Sequence, residues 1–145
     1  MKIKRIIGGL SVAVTGFIFL YAGIGKSENP SAFLFVLEEY QLNWPLGYIH
    51  LVAAILPVLE IVLGILILGN LLIGAGVYRY ITLGAGGVLL TVFLGVMIWA
   101  LANGDIFGCG CFGGLGGQLS FWDVLRDGLF VGVALAGFAA GSHTT

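Results

Sequence analysis

Four apolar segments, each close to the length that crosses a lipid bilayer, constrain this 145-residue chain more than any other feature. They cover approximately residues 6–25, 48–68, 80–102 and 121–140. About 20 apolar residues in a helix span the hydrocarbon core, where the backbone has to satisfy its own hydrogen bonds. The sequence therefore predicts an all-α, polytopic membrane protein, a bundle of four transmembrane helices that forms a single domain over residues 1–145.

The composition excludes other classes of protein. Charged residues make up 9% of the chain and hydrophobic residues 59%, whereas soluble domains carry about 25% charged residues. No basic run is present that would neutralise phosphates, so a nucleic-acid-binding protein is excluded. The first apolar segment is long for a signal peptide and no clear cleavage site follows it, so we interpret it as a retained helix.

A shorter segment, residues 30–40, has a different pattern. It is too short to span a membrane and carries charged residues near its end, which is typical of a helix lying at the interface. Pro30 suits the first turn of such a helix, and Ser27 or Asn29 could cap it. We predict an interfacial helix on the outer side. The apolar residues 71–76 either extend the helix that follows them or form a turn.

The distribution of basic residues predicts the orientation. Lys2, Lys4 and Arg5 precede the first helix, and loops rich in Lys and Arg stay in the cytoplasm. Arg79 then also lies inside, and Lys26 lies outside. In a bacterial cytoplasmic (inner) membrane both termini would be cytoplasmic. The glycine-rich loop 103–120 would face the outer side.

Small residues recur on the last apolar segment, as Gly128-x-x-x-Gly132 and Gly137-x-x-x-Gly141. Such spacing lets helices approach closely in lipid. The contact could lie within one chain or between two copies, and a homo-oligomer is left open.

The only two cysteines, Cys109 and Cys111, lie one residue apart in the loop 103–120. Two thiols so close could form a strained small-ring disulfide that is easily reduced. As thiolates they could instead bind a soft metal ion such as Cu(I) or Hg(II). They could also be inert thiols in a loop. We predict redox work, with metal binding as the alternative.

Three charged residues are further candidates. Glu60, about 12 residues into the second span, should face the bundle interior as a proton relay, a pocket anchor or half of a structural ion pair. Arg126 could pair with Asp123 on its own helix, favour a cysteine thiolate or meet a quinone carbonyl. Lys26, at the end of the first helix, is interpreted as a snorkelling anchor and as a residue that could contribute to quinone binding.

Three blocks of residues carry a resemblance to a known membrane family. They are Gly23-Ile24-Gly25-Lys26 with Asn29-Pro30 and Phe33; Glu39-Tyr40-Gln41-Leu42 with Leu56-Pro57-Val58-Leu59-Glu60 and Gly64; and Cys109-Gly110-Cys111-Phe112-Gly113 with Asp123-Val124-Leu125-Arg126-Asp127. In these blocks the chain resembles the DoxX-like membrane proteins and, within them, the MauE family.

The resemblance implies a four-helix membrane bundle and a role in thiol–disulfide exchange. MauE-type proteins are linked with thioredoxin-like partners during maturation of methylamine dehydrogenase, whose light subunit is rich in disulfides. More distant DoxX-like relatives are associated with quinone-linked oxidation of sulfur compounds. Membrane disulfide generators of the vitamin K epoxide reductase type use two cysteine pairs. The single pair of this chain would either serve both partner and quinone or only relay electrons.

Together these observations predict a membrane thiol–disulfide oxidoreductase that exchanges electrons with an extracytoplasmic thioredoxin-like protein. Cys109, Cys111 and Arg126 are the expected catalytic residues. The expected cofactor-binding residues, if a membrane quinone takes part, are Lys26, Glu60 and Arg126. The alternative is a soft-metal transporter in which the cysteines bind the ion and Glu60 marks its path. A third hypothesis is a membrane scaffold that stabilises a partner enzyme.

Overall fold

The structure is a computed structural model that describes residues 2–39, 43–73, 76–103 and 121–142. These residues form five helices: α1 (Lys2–Glu28), α2 (Pro30–Glu39), α3 (Leu46–Ile73), α4 (Val77–Ala102) and α5 (Phe121–Ser142). The described part of the chain contains no strand, which confirms the all-α class. The predicted cysteine loop lies outside the described residues from residue 104 onward.

Three of the helices, α1, α3 and α4, are long and apolar enough to cross a membrane. Their surfaces expose large apolar side chains, among them Leu72 at 91% and Val77 at 72%. Such a surface is stable in contact with lipid tails and costly in water. The protein is therefore a multi-pass membrane protein. That α5 is a fourth span and that α2 lies at the interface stay predictions.

The long helices extend beyond the predicted apolar cores. Hydropathy marks the part of a helix that lies in hydrocarbon, whereas the backbone stays helical into the polar interface. Accordingly α1 begins at Lys2 and α3 ends at Ile73. Residues 71–73 complete α3, so the prediction that they extend the following helix or form a turn was wrong.

The start of α2 shows which residue caps it. The side-chain Oδ1 of Asn29 accepts a hydrogen bond from the Ala32 backbone N–H at 3.3 Å. Pro30 follows as the first helical residue, where its missing N–H leaves no donor unpaired. Ser27 instead donates to the Gly23 carbonyl oxygen, at 2.8 Å. Asn29 is therefore the cap of α2.

The helices pack in a closed order: α1 contacts α3 and α5, and α4 contacts the same two helices. The short helix α2 packs on α3 and α1. The main core contains Val12, Phe19, Ile67, Leu83, Leu90 and Ala134. Between α3 and α4 the buried Asn70 amide donates to the Thr82 hydroxyl at 2.8 Å, a polar contact of the kind that joins helices in lipid.

Glycines bring α1 and α3 into backbone contact. A Cβ atom placed on Gly64 would lie 3.0 Å from the Gly16 carbonyl oxygen. A Cβ on Gly23 would lie 2.9 Å from the Pro57 carbonyl oxygen. No ordinary side chain tolerates such distances to backbone atoms, so these positions require glycine at the observed helix separation.

The glycines of α5 divide into two groups. A Cβ on Gly137 would lie 2.9 Å from the Ser11 Cβ on α1, so this glycine packs within the chain. Gly128 and Gly132 have no described neighbour at that position within 4 Å. They line an open apolar groove of about 520 Å³ between α4 and α5, together with Leu94 and Ile98.

Candidate functional site

A buried ion pair between α1 and α3 is the most unusual polar feature of the described structure. The Lys26 Nζ donates to both carboxylate oxygens of Glu60, at 2.7 Å to Oε1 and 2.8 Å to Oε2. Only 1% of Lys26 and 2% of Glu60 is exposed. Charges in hydrocarbon are expensive unless they are paired, and this two-oxygen arrangement compensates both of them.

The glycine contacts between α1 and α3 explain why this pair can form. Gly23 lies three residues before Lys26, and Pro57 lies three residues before Glu60. The two helices run antiparallel, because Gly16 meets Gly64 and Gly23 meets Pro57 and Ile61. Glu60 therefore lies within the segment of close approach, and Lys26, one turn beyond Gly23 on the same face of α1, is near enough to reach it. The pair thus depends on the absence of a side chain at Gly23.

Two aromatic rings surround the ammonium group. The Lys26 Nζ lies 5.3 Å from the centroid of Phe33 on α2 and 4.9 Å from that of Phe93 on α4. Both distances fall within the range of cation–π attraction, which strengthens when water is excluded. Lys26 is therefore in contact with three other helices, α2, α3 and α4.

A small cavity adjoins the pair. Its volume is about 20 Å³, and its polar lining consists of Lys26, Glu60 and Asp127. Asp127, on α5, is itself 3% exposed. A cavity of this size and polarity fits roughly one water molecule. The arrangement can hold a proton or a water between a lysine and two carboxylates.

Arg126 directly precedes Asp127 on α5. Its Nη2 approaches the Asp127 Oδ1 at 3.4 Å, and 35% of its side chain is exposed. This separation is long for a charge-assisted hydrogen bond, so the contact is a loose ion pair. The side chain of Asp123, the predicted partner of Arg126, lies outside the described residues.

The structure brings together two of the predicted residues, Lys26 and Glu60, and places Asp127 beside them. Glu60 faces the interior and forms an ion pair, one of the roles expected for it. The snorkelling role of Lys26 is wrong, because its ammonium is buried against a carboxylate and two rings rather than extended to the interface. Cys109 and Cys111 lie outside the described residues.

Three residues of the site were not singled out by their chemistry in the sequence. Asp127 follows Arg126 directly. A carboxylate in an apolar segment indicates a buried polar site, by the same reasoning that identified Glu60, and the structure places Asp127 at the cavity. Phe33 stands in the same resemblance block as Lys26, but nothing in the sequence marks Phe33 or Phe93, two of the 10 phenylalanines, as a ring that faces the lysine. Their role depends on how α2 and α4 pack.

The comparisons with known proteins add one finding. Neither the search of curated proteins nor the search of solved structures returned a match. The family model described as methylamine utilisation protein MauE matches residues 4–140. This range includes the cysteine pair and the buried ion pair. It also includes all five helices, apart from the outermost residues of α1 and α5. Since the match covers nearly the whole sequence, the chain belongs to the MauE family.

Proposed function

We propose that this protein is a membrane thiol–disulfide exchange protein whose Cys109–Cys111 pair reacts with a thioredoxin-like protein outside the cytoplasm. The observation that carries the proposal is the MauE match over residues 4–140, which includes the cysteine pair. Membership in a methylamine utilisation family makes a protein of that system the first candidate for the substrate. The class of partner comes from the family resemblance.

The described ends of α4 and α5 support a link between the cysteines and the buried charges. Val36 of α2 packs with Met97 and Ala100 near the end of α4, and Val124 at the start of α5 packs against this cluster. The chain between α4 and α5 therefore leaves from and returns to the part of the molecule where α2 docks. Asp127 lies six residues into α5, about 9 Å along the helix axis.

The proposed exchange conserves electrons and protons without another reactant. A thiolate of the reduced partner attacks one sulfur of the oxidised Cys109–Cys111 pair, the S–S bond breaks, and the other cysteine leaves as a thiolate. The other thiolate of the same partner then attacks the partner's sulfur in the mixed disulfide and releases the bound cysteine as a thiolate. The partner ends with a disulfide and the pair ends reduced by two electrons. The same steps in reverse would reduce the partner.

Arg126 is proposed as a positioning residue. A guanidinium near the cysteine segment would favour the thiolate form of the pair and so raise its reactivity. Lys26 and Glu60 join α1 to α3, and are proposed to hold them against α4 and α5, the helices that flank the cysteine segment, through Phe93 and the cavity lined by Asp127.

A membrane quinone stays a proposed electron acceptor for the reduced pair. The cavity beside Lys26 and Glu60 holds about 20 Å³, which is smaller than a quinone ring, so a quinone does not fit this site in the described conformation. No step of the exchange is assigned to a quinone.

Trapping in living cells tests the proposal. Cells are quenched with acid and alkylated with a mass-tagged reagent, with and without prior reduction, in the wild type and in Cys109→Ser and Cys111→Ser variants. We expect a wild-type disulfide fraction that changes with growth conditions, and a mixed disulfide accumulating in one single variant. The matched control is Ser120→Ala, which alters the same segment and leaves both thiols intact.

Two results would contradict the exchange proposal. Full exchange activity in both single variants would exclude a role for the cysteines. Thiols that stay reduced throughout, together with stoichiometric Cu(I) or Hg(II) binding that needs both of them, would favour the soft-metal transporter. A double serine variant that still supports its partner enzyme normally would favour a scaffold.

We also propose that α5 is a fourth transmembrane helix, that α2 lies at the outer interface, and that both termini are cytoplasmic in a bacterial inner membrane. The packing of α5 against both α1 and α4 supports the first statement. The basic residues before α1 and at Arg79 support the orientation.

A further inference from the structure

Charges are strongly segregated along this chain. No Asp or Glu occurs before Glu28, between Glu60 and Asp105, or after Asp127. The start of α1, the start of α4 and the end of α5 consequently contain no carboxylate side chain. These three helix ends lie together, because Gly8 of α1 meets Arg79 of α4 and Gly137 of α5 meets Ser11 of α1. This end of the molecule is basic.

The Arg79 guanidinium lies against α1 at Gly8. A Cβ atom on Gly8 would overlap the Arg79 Nη2 and would lie 3.1 Å from Cζ and 3.3 Å from Nη1. The glycine thus leaves a shallow seat that the guanidinium occupies.

The Arg79 guanidinium has no counterion within the described chain. Its Nε and Nη2 atoms are buried and have no hydrogen-bond partner among the described residues. Helix α4 itself contains no acidic residue. Glu60 itself is taken by Lys26. The side chain of Arg79 is half-buried and its charge has no described counterion, so an anion that compensates it would come from outside the described chain.

Two more cations flank the same seat. Lys4 and Arg5 lie four and three residues before Gly8 in α1, which places them one turn away on the Gly8 face. Both are exposed. The neighbouring apolar residues Ile7 and Val77 are also exposed, at 45% and 72%. A ligand bound here would contact the cations of Arg79, Lys4 and Arg5 with one part and the exposed apolar surface of the helices with the other.

We propose that this site, formed by Arg79, Gly8, Lys4 and Arg5, binds the phosphate of an anionic phospholipid. Guanidinium groups bind phosphate through paired, charge-assisted hydrogen bonds, and basic clusters at the end of membrane helices attract anionic headgroups. The exposed apolar surface beside the cations accepts the acyl chains. This inference does not depend on the thiol–disulfide function.

The first test uses the wild-type protein. Purified protein in detergent is offered equal amounts of phosphatidylglycerol and phosphatidylcholine with identical acyl chains, and bound lipid is counted by native mass spectrometry. We expect phosphatidylglycerol to be retained at least about fivefold more, the effect of roughly one basic residue near an anionic headgroup. Equal retention would overturn the proposal. If inorganic phosphate displaced both lipids to the same extent, the site would bind free phosphate and have no selectivity for a lipid, which would also overturn the proposal.

Two variants locate the site. Arg79→Gln removes the guanidinium, and Gly8→Ala fills its seat, so both should reduce the preference for phosphatidylglycerol by about fivefold. The matched controls are Gly9→Ala, where a Cβ meets no described atom within 4 Å, and Lys2→Gln, which removes a cation from another face of α1. Controls and test variants that behave alike would contradict the assignment to Arg79.

Discussion

Lys26 is held by contacts that no other lysine of the chain has. Both Glu60 oxygens accept its hydrogen bonds, and two phenylalanine rings cover the remaining sides. In a low-dielectric interior the pair compensates charges that would each be very unfavourable alone. Removing one partner is therefore a more severe change than removing both.

The Glu60→Gln variant should be strongly destabilised. The buried ammonium would lose its counterion, and breaking a buried ion pair by removing one partner costs about 3–5 kcal/mol. The double variant Lys26→Met/Glu60→Leu should recover most of this loss. Unfolding in detergent, followed by circular dichroism, measures both.

The matched control is Glu38→Gln. Glu38 is 40% exposed and lies 3.9 Å from His50, so its substitution should change the unfolding free energy by less than about 0.5 kcal/mol. Equal stability of the wild type and Glu60→Gln would show that the ion pair contributes nothing to the folded state.

The sequence alone indicates part of this site. A lone carboxylate in an apolar segment has to face the interior and find a partner, which identified Glu60. It did not identify Lys26 as that partner, because a lysine near a helix end can equally well extend to the interface. Lys26 is buried because Gly23 brings α1 into backbone contact with α3. This contact depends on how the two helices pack, which the sequence of either helix alone does not show.

At the level of helices, α1 and α3 cross with their backbones in contact at glycines. Gly64 meets the Gly16 carbonyl oxygen and the Leu20 side chain, and Gly23 meets Pro57. In lipid such packing replaces the hydrophobic effect as the force that joins helices. Glu60 lies within this crossing and Lys26 one turn beyond Gly23, so the ion pair depends on the close approach of the two helices.

Gly64→Ala should separate α1 from α3. Its Cβ would lie 2.8 Å from the Leu20 Cγ and 3.0 Å from a backbone oxygen, so helices or side chains would have to shift. We expect a loss of about 1–3 kcal/mol, measured by the same detergent unfolding. Gly95→Ala is the control, since its Cβ meets no described atom within 4 Å. A similar effect of both substitutions would contradict a close crossing.

The existence of the helices was predictable, and their packing was not. Apolar length alone indicates a helix in a membrane, because no other backbone conformation of one segment satisfies its hydrogen bonds there. Helix ends were less certain, since α3 continues to Ile73 past the predicted residue 68. The glycines on α5 were the evident packing motif, but Gly16 and Gly64, 48 positions apart in the numbering, form the tighter contact.

For the whole molecule, the proposed orientation separates a basic end from an end that carries the described acidic side chains. All seven acidic residues lie between positions 28 and 127 of the sequence, and those with described side chains lie at or toward the end where α2 docks. The four basic residues Lys2, Lys4, Arg5 and Arg79 define the opposite end. The positive-inside bias assigns that basic end to the cytoplasm.

Thiol labelling tests this orientation. In intact cells a membrane-impermeant maleimide, applied after mild reduction, should label the native Cys109 and Cys111 without lysis. In a variant with both cysteines changed to serine, Thr144→Cys should be labelled only after lysis. Labelling of Thr144→Cys in intact cells would reverse the proposed topology or show that the termini lie on opposite sides.

The Lys26–Glu60 pair also imposes an order on biogenesis. The two residues are 34 positions apart in the chain, and synthesis at about 5–20 residues per second makes Glu60 roughly 2–7 s after Lys26. During this interval the newborn α1 has a lysine without its carboxylate, which holds that end of the helix at the water interface. Only the arrival of α3 allows Lys26 to be drawn into the interior, so the first helix to be synthesised reaches its final depth only after a later one has been inserted.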